Sequence, residues 1–234
     1  MMFKDYVEIE IPEGKVTKIR AGDVVLWVQP QIGNIPNEYQ EVEWISAAAN
    51  VGAYIKLGFT YNKGAEIRLG QWIMNENTAY PFGAAESSGT KRCMFSSPYN
   101  GGVSVYASNG PSFITMEMRY KLGALNELSA TFKTGAWVIR NATLNYVSRT
   151  SDMLVDYTMT NELYLFAQNY NGSPRFGDER RISYFQYEDN DGNLICDLVP
   201  CYRKSDGEIG TYDKARGLFL TNAGTGSFTK GPDV

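Results

Sequence analysis

Short apolar runs separated by turn residues dominate this chain, and they are packed most tightly at its end. Residues 194–202, 209–212 and 218–220 read as strands, divided by Ser205-Asp-Gly207, by a turn over 213–217 and by Asn222-Ala-Gly224-Thr-Gly226. Phe228 then precedes Gly231-Pro232. Glycine enters positive φ without a Cβ clash, and Asp or Asn closes a turn with its own side chain. The stretch from Asp197 to Val234 is therefore a series of hairpin-joined strands, with its aromatic residues expected in the core.

The same rhythm runs upstream. Strands are expected over 42–45, 53–57, 66–74, 92–95, 103–107, 114–120, 128–132, 137–139, 144–147, 163–167 and 182–187. Many short strands with Gly, Asn and Pro turns indicate a sandwich or barrel. No segment has the period of a long amphipathic helix, and no internal repeat or low-complexity tract is present.

The first 28 residues stand apart. Tyr6-Val-Glu-Ile-Glu-Ile11 alternates apolar and polar side chains, Pro12-Glu-Gly14 turns the chain, and 15–19 and 24–28 follow as two more strands. A three-stranded meander of this size is marginal alone, so it is expected to pack on another body. Residues 29–37 hold two prolines and no periodicity and read as a linker, leaving 38–234 as the main domain.

Composition removes whole classes of chemistry. The chain contains no histidine. Ser-His-Asp and Cys-His nucleophiles, His-based metal sites and a histidine general base are thereby excluded. A net charge of −4, with Lys and Arg scattered and only Arg175, Arg180 and Arg181 grouped, argues against a nucleic-acid surface. The N-terminus lacks the apolar run of a signal peptide, and the longest apolar stretch, 44–55, is too short to span a bilayer. Folding in a cytoplasm is expected. Three cysteines do not form a disulfide framework. Cys196 and Cys201 on one extended strand would lie roughly 16 Å apart on opposite faces, beyond the ~7 Å a bridge tolerates. Buried, reduced thiols are expected.

Several phrases resemble a family. Val199-Pro-Cys-Tyr-Arg203, Gly207-Glu-Ile-Gly-Thr-Tyr-Asp213, Gly217-Leu-Phe219 and the run Thr221 to Val234 are similar to the C-terminal ends of LamG-like, concanavalin A-like jelly-roll proteins. Such proteins are frequent in phages and prophages of gut bacteria. Leu163-Tyr-Leu-Phe-Ala-Gln-Asn169, Arg181-Ile-Ser-Tyr-Phe-Gln-Tyr187 and the turn Asp189-Asn-Asp-Gly192 fit the same pattern, which extends from about Glu38 to the end. The resemblance implies an all-β jelly-roll sandwich behind a small N-terminal β-meander. It implies a virion protein of tail, fibre or receptor-binding type, anchored to other virion proteins through its first residues and reaching a host glycan or another virion protein with the sandwich. Capsid decoration, as a head fibre, is the variant placement. The resemblance also allows calcium, without locating a site, and a homo-oligomer, although no heptads or collagen-like repeats mark one. It names no catalytic residue.

Candidate sites are few. The loop 168–177 combines Asn169, Tyr170, Asn171 and Arg175, residue types that stack on sugar rings and hydrogen-bond hydroxyls. The loops 75–81 and 98–102 have similar chemistry. Glu8, Glu10 and Glu13 form E-x-E-x-x-E, close to the E-x-D-x-x-E of glucanases on the same fold, and Glu8 and Glu10 share a strand face at roughly 6.6 Å. The middle residue is wrong, a proline follows at once, and the motif lies outside the main domain, so a wet strand face explains it better. Glu38, Glu41 and Glu43 form a second acidic run, and Trp44 beside them reads as core. A glucanase- or depolymerase-like enzyme is the alternative function; it requires two carboxylates facing each other on the sheet. Asp189-Asn-Asp-Gly192 fails the calcium-loop pattern because positions 1 and 12 fall on Tyr187 and Leu198, and a β-hairpin accounts for it. Asn141-Ala-Thr143 and Asn171-Gly-Ser173 match glycosylation sequons, unused without secretion.

Overall fold

Residues with one apolar and one polar face must bury the first, and here two sheets do so against each other. The computed structural model describes residues 7–10, 18–21, 24–28, 35–49, 52–86, 91–96, 102–109, 114–133, 136–150, 157–177 and 179–234. The chain forms two compact units, Met1–Asn34 and Ile35–Val234. The division falls within the stretch that reads as a linker.

In the first unit, β1 (Val7–Glu10), β2 (Lys18–Ala21) and β3 (Val24–Val28) form an antiparallel meander. Glu8 stands in register with Arg20 and Glu10 with Lys18. Glu13 lies outside the described residues.

The second unit is a β-sandwich. Its strands begin with β4 (Tyr39–Glu41), β5 (Ile45–Ala47), β6 (Ile55–Thr60), β7 (Glu66–Ile73), β8 (Phe82–Ala85) and β9 (Lys91–Ser96). They continue with β10 (Val103–Asn109), β11 (Ile114–Met118), β12 (Leu125–Lys133), β13 (Ala136–Asn141) and β14 (Tyr146–Thr150). Next come β15 (Glu162–Leu165), β16 (Gln168–Tyr170), β17 (Ser173–Arg175) and β18 (Arg180–Glu188). The last are β19 (Leu194–Arg203), β20 (Ile209–Asp213), β21 (Leu218–Thr221) and β22 (Phe228–Lys230). The smaller sheet runs β11-β10-β9-β8-β15-β6, with β16 and β17 joined at β8. The larger runs β14-β13-β12-β7-β18-β19-β20-β21, with β4, β5 and β22 paired at its margin. Non-consecutive neighbours such as β8–β15 and β7–β18 give the crossed connectivity of a jelly roll rather than a meander.

The core lies between the sheets. Ile55, Leu57, Phe82 and Phe95 from the smaller sheet meet Ile67, Leu69, Phe132 and Phe185 from the larger, all fully buried. Phe82 contacts both Phe95 and Phe185, at ring-centroid distances of 4.7 and 5.3 Å, joining the two layers. Two inward asparagines are tied to the backbone and to each other. Asn126 donates its amide to the carbonyls of Lys121 and Ala124, and Asn141 donates to the carbonyl of Arg119 and to Asn126.

Four expectations need correction. The predicted strand 42–45 is an isolated bridge of Val42 with Asp233, followed by β5 from Ile45; between them Glu43 donates to the carbonyl of Pro232 and Trp44 accepts from the amide of Gly231. Trp44 is half-buried: it lies under the Arg181 guanidinium, 4.3 Å from its ring centroid, so its partner is a cation and not the core. Of the predicted strand 144–147, the start is a 3-10 turn over Ala142–Leu144, and Asn145 at φ 51° redirects the chain into β14. The C-terminal aromatics are not all core. Phe228 is buried, whereas Tyr212 and Phe219 are half-buried and clasp Tyr39 from β4, with centroids 5.1 and 4.8 Å away.

All three cysteines are free and buried. Among the described residues, no helix is long and apolar enough to cross a membrane.

Candidate functional site

Alternation along β8, β9 and β10 builds a cleft on the outer side of the smaller sheet. Cys93, Phe95, Phe82, Ala84, Val103 and Val105 enter the core, which turns Arg92, Met94, Ser96, Gly83 and Tyr106 the other way. Met94 is in register with both Gly83 and Tyr106. A Cβ on Gly83 would stand 2.2 Å from that of Met94, and Gly83 has φ 154°, so glycine alone lets the methionine lie on β8. Met94 forms the floor, and Gln168 reaches its sulfur through Nε2 at 2.7 Å.

The walls come from three other segments. Tyr80 and Thr78 belong to the connection between β7 and β8, one of the loops whose composition suggested binding. Tyr106 rises from β10, and Tyr170 and Arg175 come from the hairpin β16–β17. Arg92 and Ser96 line the β9 side. The space enclosed is about 270 Å³. That is at the lower end of the roughly 300–1,000 Å³ usual for ligand clefts.

The residues 168–177 are a tight hairpin, not a loose loop. Asn171 and Gly172 have φ of 50° and 86°, the double positive φ of a type I′ turn, for which Asn-Gly is the preferred pair. β16 also pairs in parallel with β8, holding the hairpin on the sheet. This separates the four residues expected to bind. Tyr170 and Arg175 enter the cleft, with the Arg175 guanidinium 3.4 Å from the Tyr170 ring centroid. Asn169 does not: it is buried on the opposite face, donates to the carbonyl of Glu162 and accepts from the amide of Gly172. Asn171 sits in the turn itself, exposed, and its work is conformational. Of the other loop read as similar, 98–101 lie outside the described residues.

The alternative sites resolve as structure. Glu66 and Glu188 stand in register on β7 and β18, the facing carboxylates that hydrolysis would need. Arg68 bridges them, at 2.7 Å to Glu66 and 3.2 Å to Glu188, and the side chains are largely enclosed. Their oxygens are engaged by a guanidinium, so the trio is an ion-pair network on the outer face of the larger sheet. Asp189 accepts from the amides of Asp191 and Asn193 and from the Asn193 side chain, and these hydrogen bonds hold its carboxyl below the ordinary aspartate range. Asp189 thus closes a hairpin between β18 and β19. Among the described residues, no group of three or more His, Cys, Asp or Glu is placed to hold a metal. The three grouped arginines disperse: Arg180 is buried against Asn75 and Asn77, Arg181 covers Trp44, and Arg175 faces the cleft.

A second cleft, about 290 Å³, lies between Asp206–Ile209 and Asn222–Phe228. Its polar groups serve the turns. Asn222 accepts from the amides of Tyr54 and Gly224 and donates to the carbonyls of Gly224 and Gly226, and Asp206 pairs with Arg203.

What sequence reading missed is Arg92, Met94, Ser96 and Tyr106, whereas Gln168 opens the segment 168–177 read as a binding loop. The first four sit inside strands, and only their phase against Cys93, Phe95 and Val105 marks them as outward.

The fold has solved counterparts. A provisionally described carbohydrate-binding protein of Bacteroides ovatus superimposes with a TM-score of 0.51 at 10% identity, covering 83% of this chain and 62% of that one. Domains LG4-5 of mouse laminin alpha1 superimpose with a TM-score of 0.50 at 14% identity, covering 79% of this chain and 48% of that one. The fold is a concanavalin A-like jelly roll. At these identities the likeness concerns architecture alone, and the chain spans less than two thirds of either counterpart. No family model and no curated protein matches the sequence.

Proposed function

We propose that this protein is a non-enzymatic glycan-binding protein of a phage particle, and that the Tyr80–Tyr106–Tyr170 cleft is its saccharide site. The observation that carries the reading is the cleft itself: three tyrosines rim a methionine floor, with Arg92, Arg175, Thr78, Ser96 and Gln168 among them. A tyrosine offers an apolar ring to a sugar face and a hydroxyl to its polar edge. The stack of Arg175 on Tyr170 fixes both side chains before a ligand arrives, which reduces the ordering cost of binding. The Bacteroides ovatus counterpart bears a carbohydrate-binding description on the same architecture.

The virion assignment rests on the resemblance of Val199–Arg203, Gly207–Asp213 and Thr221–Val234 to phage jelly-roll proteins. In this reading the N-terminal meander attaches the protein to its particle and the sandwich meets the host-surface glycan.

Two measurements test the proposal. Screening the full chain on an array of bacterial surface polysaccharides should give binding that Tyr106→Ala and Tyr170→Ala each weaken by at least about tenfold, with unchanged melting temperature. Binding that survives both substitutions removes the cleft from the proposal. Immunogold labelling of purified particles should decorate the virion; unlabelled particles refute that placement.

A further inference from the structure

We infer that the ligand of this cleft is an acidic saccharide, one bearing carboxylate or sulfate groups, which Arg92 and Arg175 read. The inference deepens the glycan-binding reading above and rests on it. Its basis is the sign of the lining: two arginines, no aspartate and no glutamate, in a protein whose acidic residues outnumber its basic ones by 26 to 22.

The two cations are placed independently. Arg92 belongs to β9 and Arg175 to β17, and the path between them crosses β8 and β16. Three strand spacings and a two-residue offset along the strands put their backbones roughly 16 Å apart. Both side chains line the one cleft, so an acidic ligand seated there meets cations from two separate strands. No carboxylate lies within ion-pair distance of Arg175 among the described residues, and its guanidinium carbon lies 3.4 Å from the Tyr170 ring centroid. A guanidinium stacked by its face keeps its edge, where the N–H donors point, available to a ligand. That edge matches a carboxylate or sulfate in a two-pronged contact, which a lysine ammonium cannot reproduce. Contrast the Glu66–Arg68–Glu188 network, where the arginine is already enclosed by two carboxylates and has nothing left to read.

The test uses the full chain and one array holding neutral, uronate-bearing, sialylated and sulfated oligosaccharides, with poly-glutamate as a non-saccharide polyanion. Acidic oligosaccharides should bind at least about tenfold tighter than neutral ones. For a uronate or sialylated binder, chemical reduction of the carboxyls should remove the advantage. Arg175→Gln and Arg92→Gln should each lower acidic binding by about tenfold, and Arg175→Lys should restore only part. Melting curves establish that the variants fold. Equal binding of neutral and acidic oligosaccharides, or acidic binding indifferent to both Gln variants, overturns the inference while leaving a glycan site in place. Poly-glutamate binding as tightly as the saccharides also overturns it. Absence of binding to every saccharide overturns the glycan reading and this inference together.

Discussion

Cys201 is buried among β4, β19 and β20, and burial pushes its thiol up to about 12 from the ordinary 9.0. Burial likewise raises Cys93 and Cys196, the latter with the Asp213 carboxylate adding to the effect. A raised thiol is a protonated thiol, so these cysteines are poor nucleophiles in the folded state. An aromatic disulfide reagent at pH 8 should find no fast-reacting thiol in the native protein and three after denaturation; a fast native thiol contradicts the packing. The same groups set a pH dependence. Between about 9 and 12 the unfolded chain releases the Cys201 proton while the folded chain retains it. Folded protein then binds more protons, so stability is fully present below pH 9 and falls as pH rises through that window. Melting temperature should drop from pH 8 to pH 10.5, and a flat profile contradicts it. At this scale the sequence was legible. Three cysteines with no histidine partner and a strand phase separating Cys196 from Cys201 already implied inert thiols. Trp44 was not legible, because its neighbours read as an apolar alternation and its real partner, Arg181, comes from a strand far along the chain.

The hairpin β16–β17 positions the candidate site more than any other element. Its turn holds Asn171 at φ 50°, its backbone is tied to β8 by Asn171 donating to the carbonyl of Ala85, and its two strands bring Arg175 onto Tyr170. A β-branched side chain at such a φ costs roughly 1–2 kcal/mol. Asn171→Val should therefore lower thermal stability and weaken saccharide binding together, while Asn171→Gly should retain both. If the valine variant keeps full affinity, the turn does not position Tyr170 and Arg175. The Asn-Gly pair was visible as the strongest hairpin signal available, yet composition alone suggested a binding loop over 168–177. Composition does not tell which side chains point where, and a period of two does: Asn169 falls out of phase with Tyr170 and is used by the backbone. Asp189-Asn-Asp-Gly192, by contrast, is the hairpin its sequence indicates.

At the largest scale, the unit Ile35–Val234 is a jelly-roll sandwich whose two outer faces are used differently. The larger sheet closes its outer face with the Glu66–Arg68–Glu188 network and with Asp197 paired to Lys214 and Gln186. The smaller sheet leaves a cleft of tyrosines and arginines. Sandwich architecture was legible from the spacing of strands and turns, because period-two alternation and Gly, Asn and Asp turns are local properties. The cleft was not, because Tyr80, Arg92, Tyr106 and Tyr170 come from four separate segments that only the β8–β9–β10 and β8–β16 pairings assemble. Whether this cleft is where the protein binds saccharide can be read by NMR. Resonances are followed while the tightest-binding oligosaccharide from the array is titrated in. Shifts are expected in the Tyr80, Tyr106 and Tyr170 rings and in the Arg92 and Arg175 side-chain N–H groups, saturating with one affinity. Shifts confined to the Asp206–Phe228 cleft or to the outer face of the larger sheet would contradict a saccharide site here.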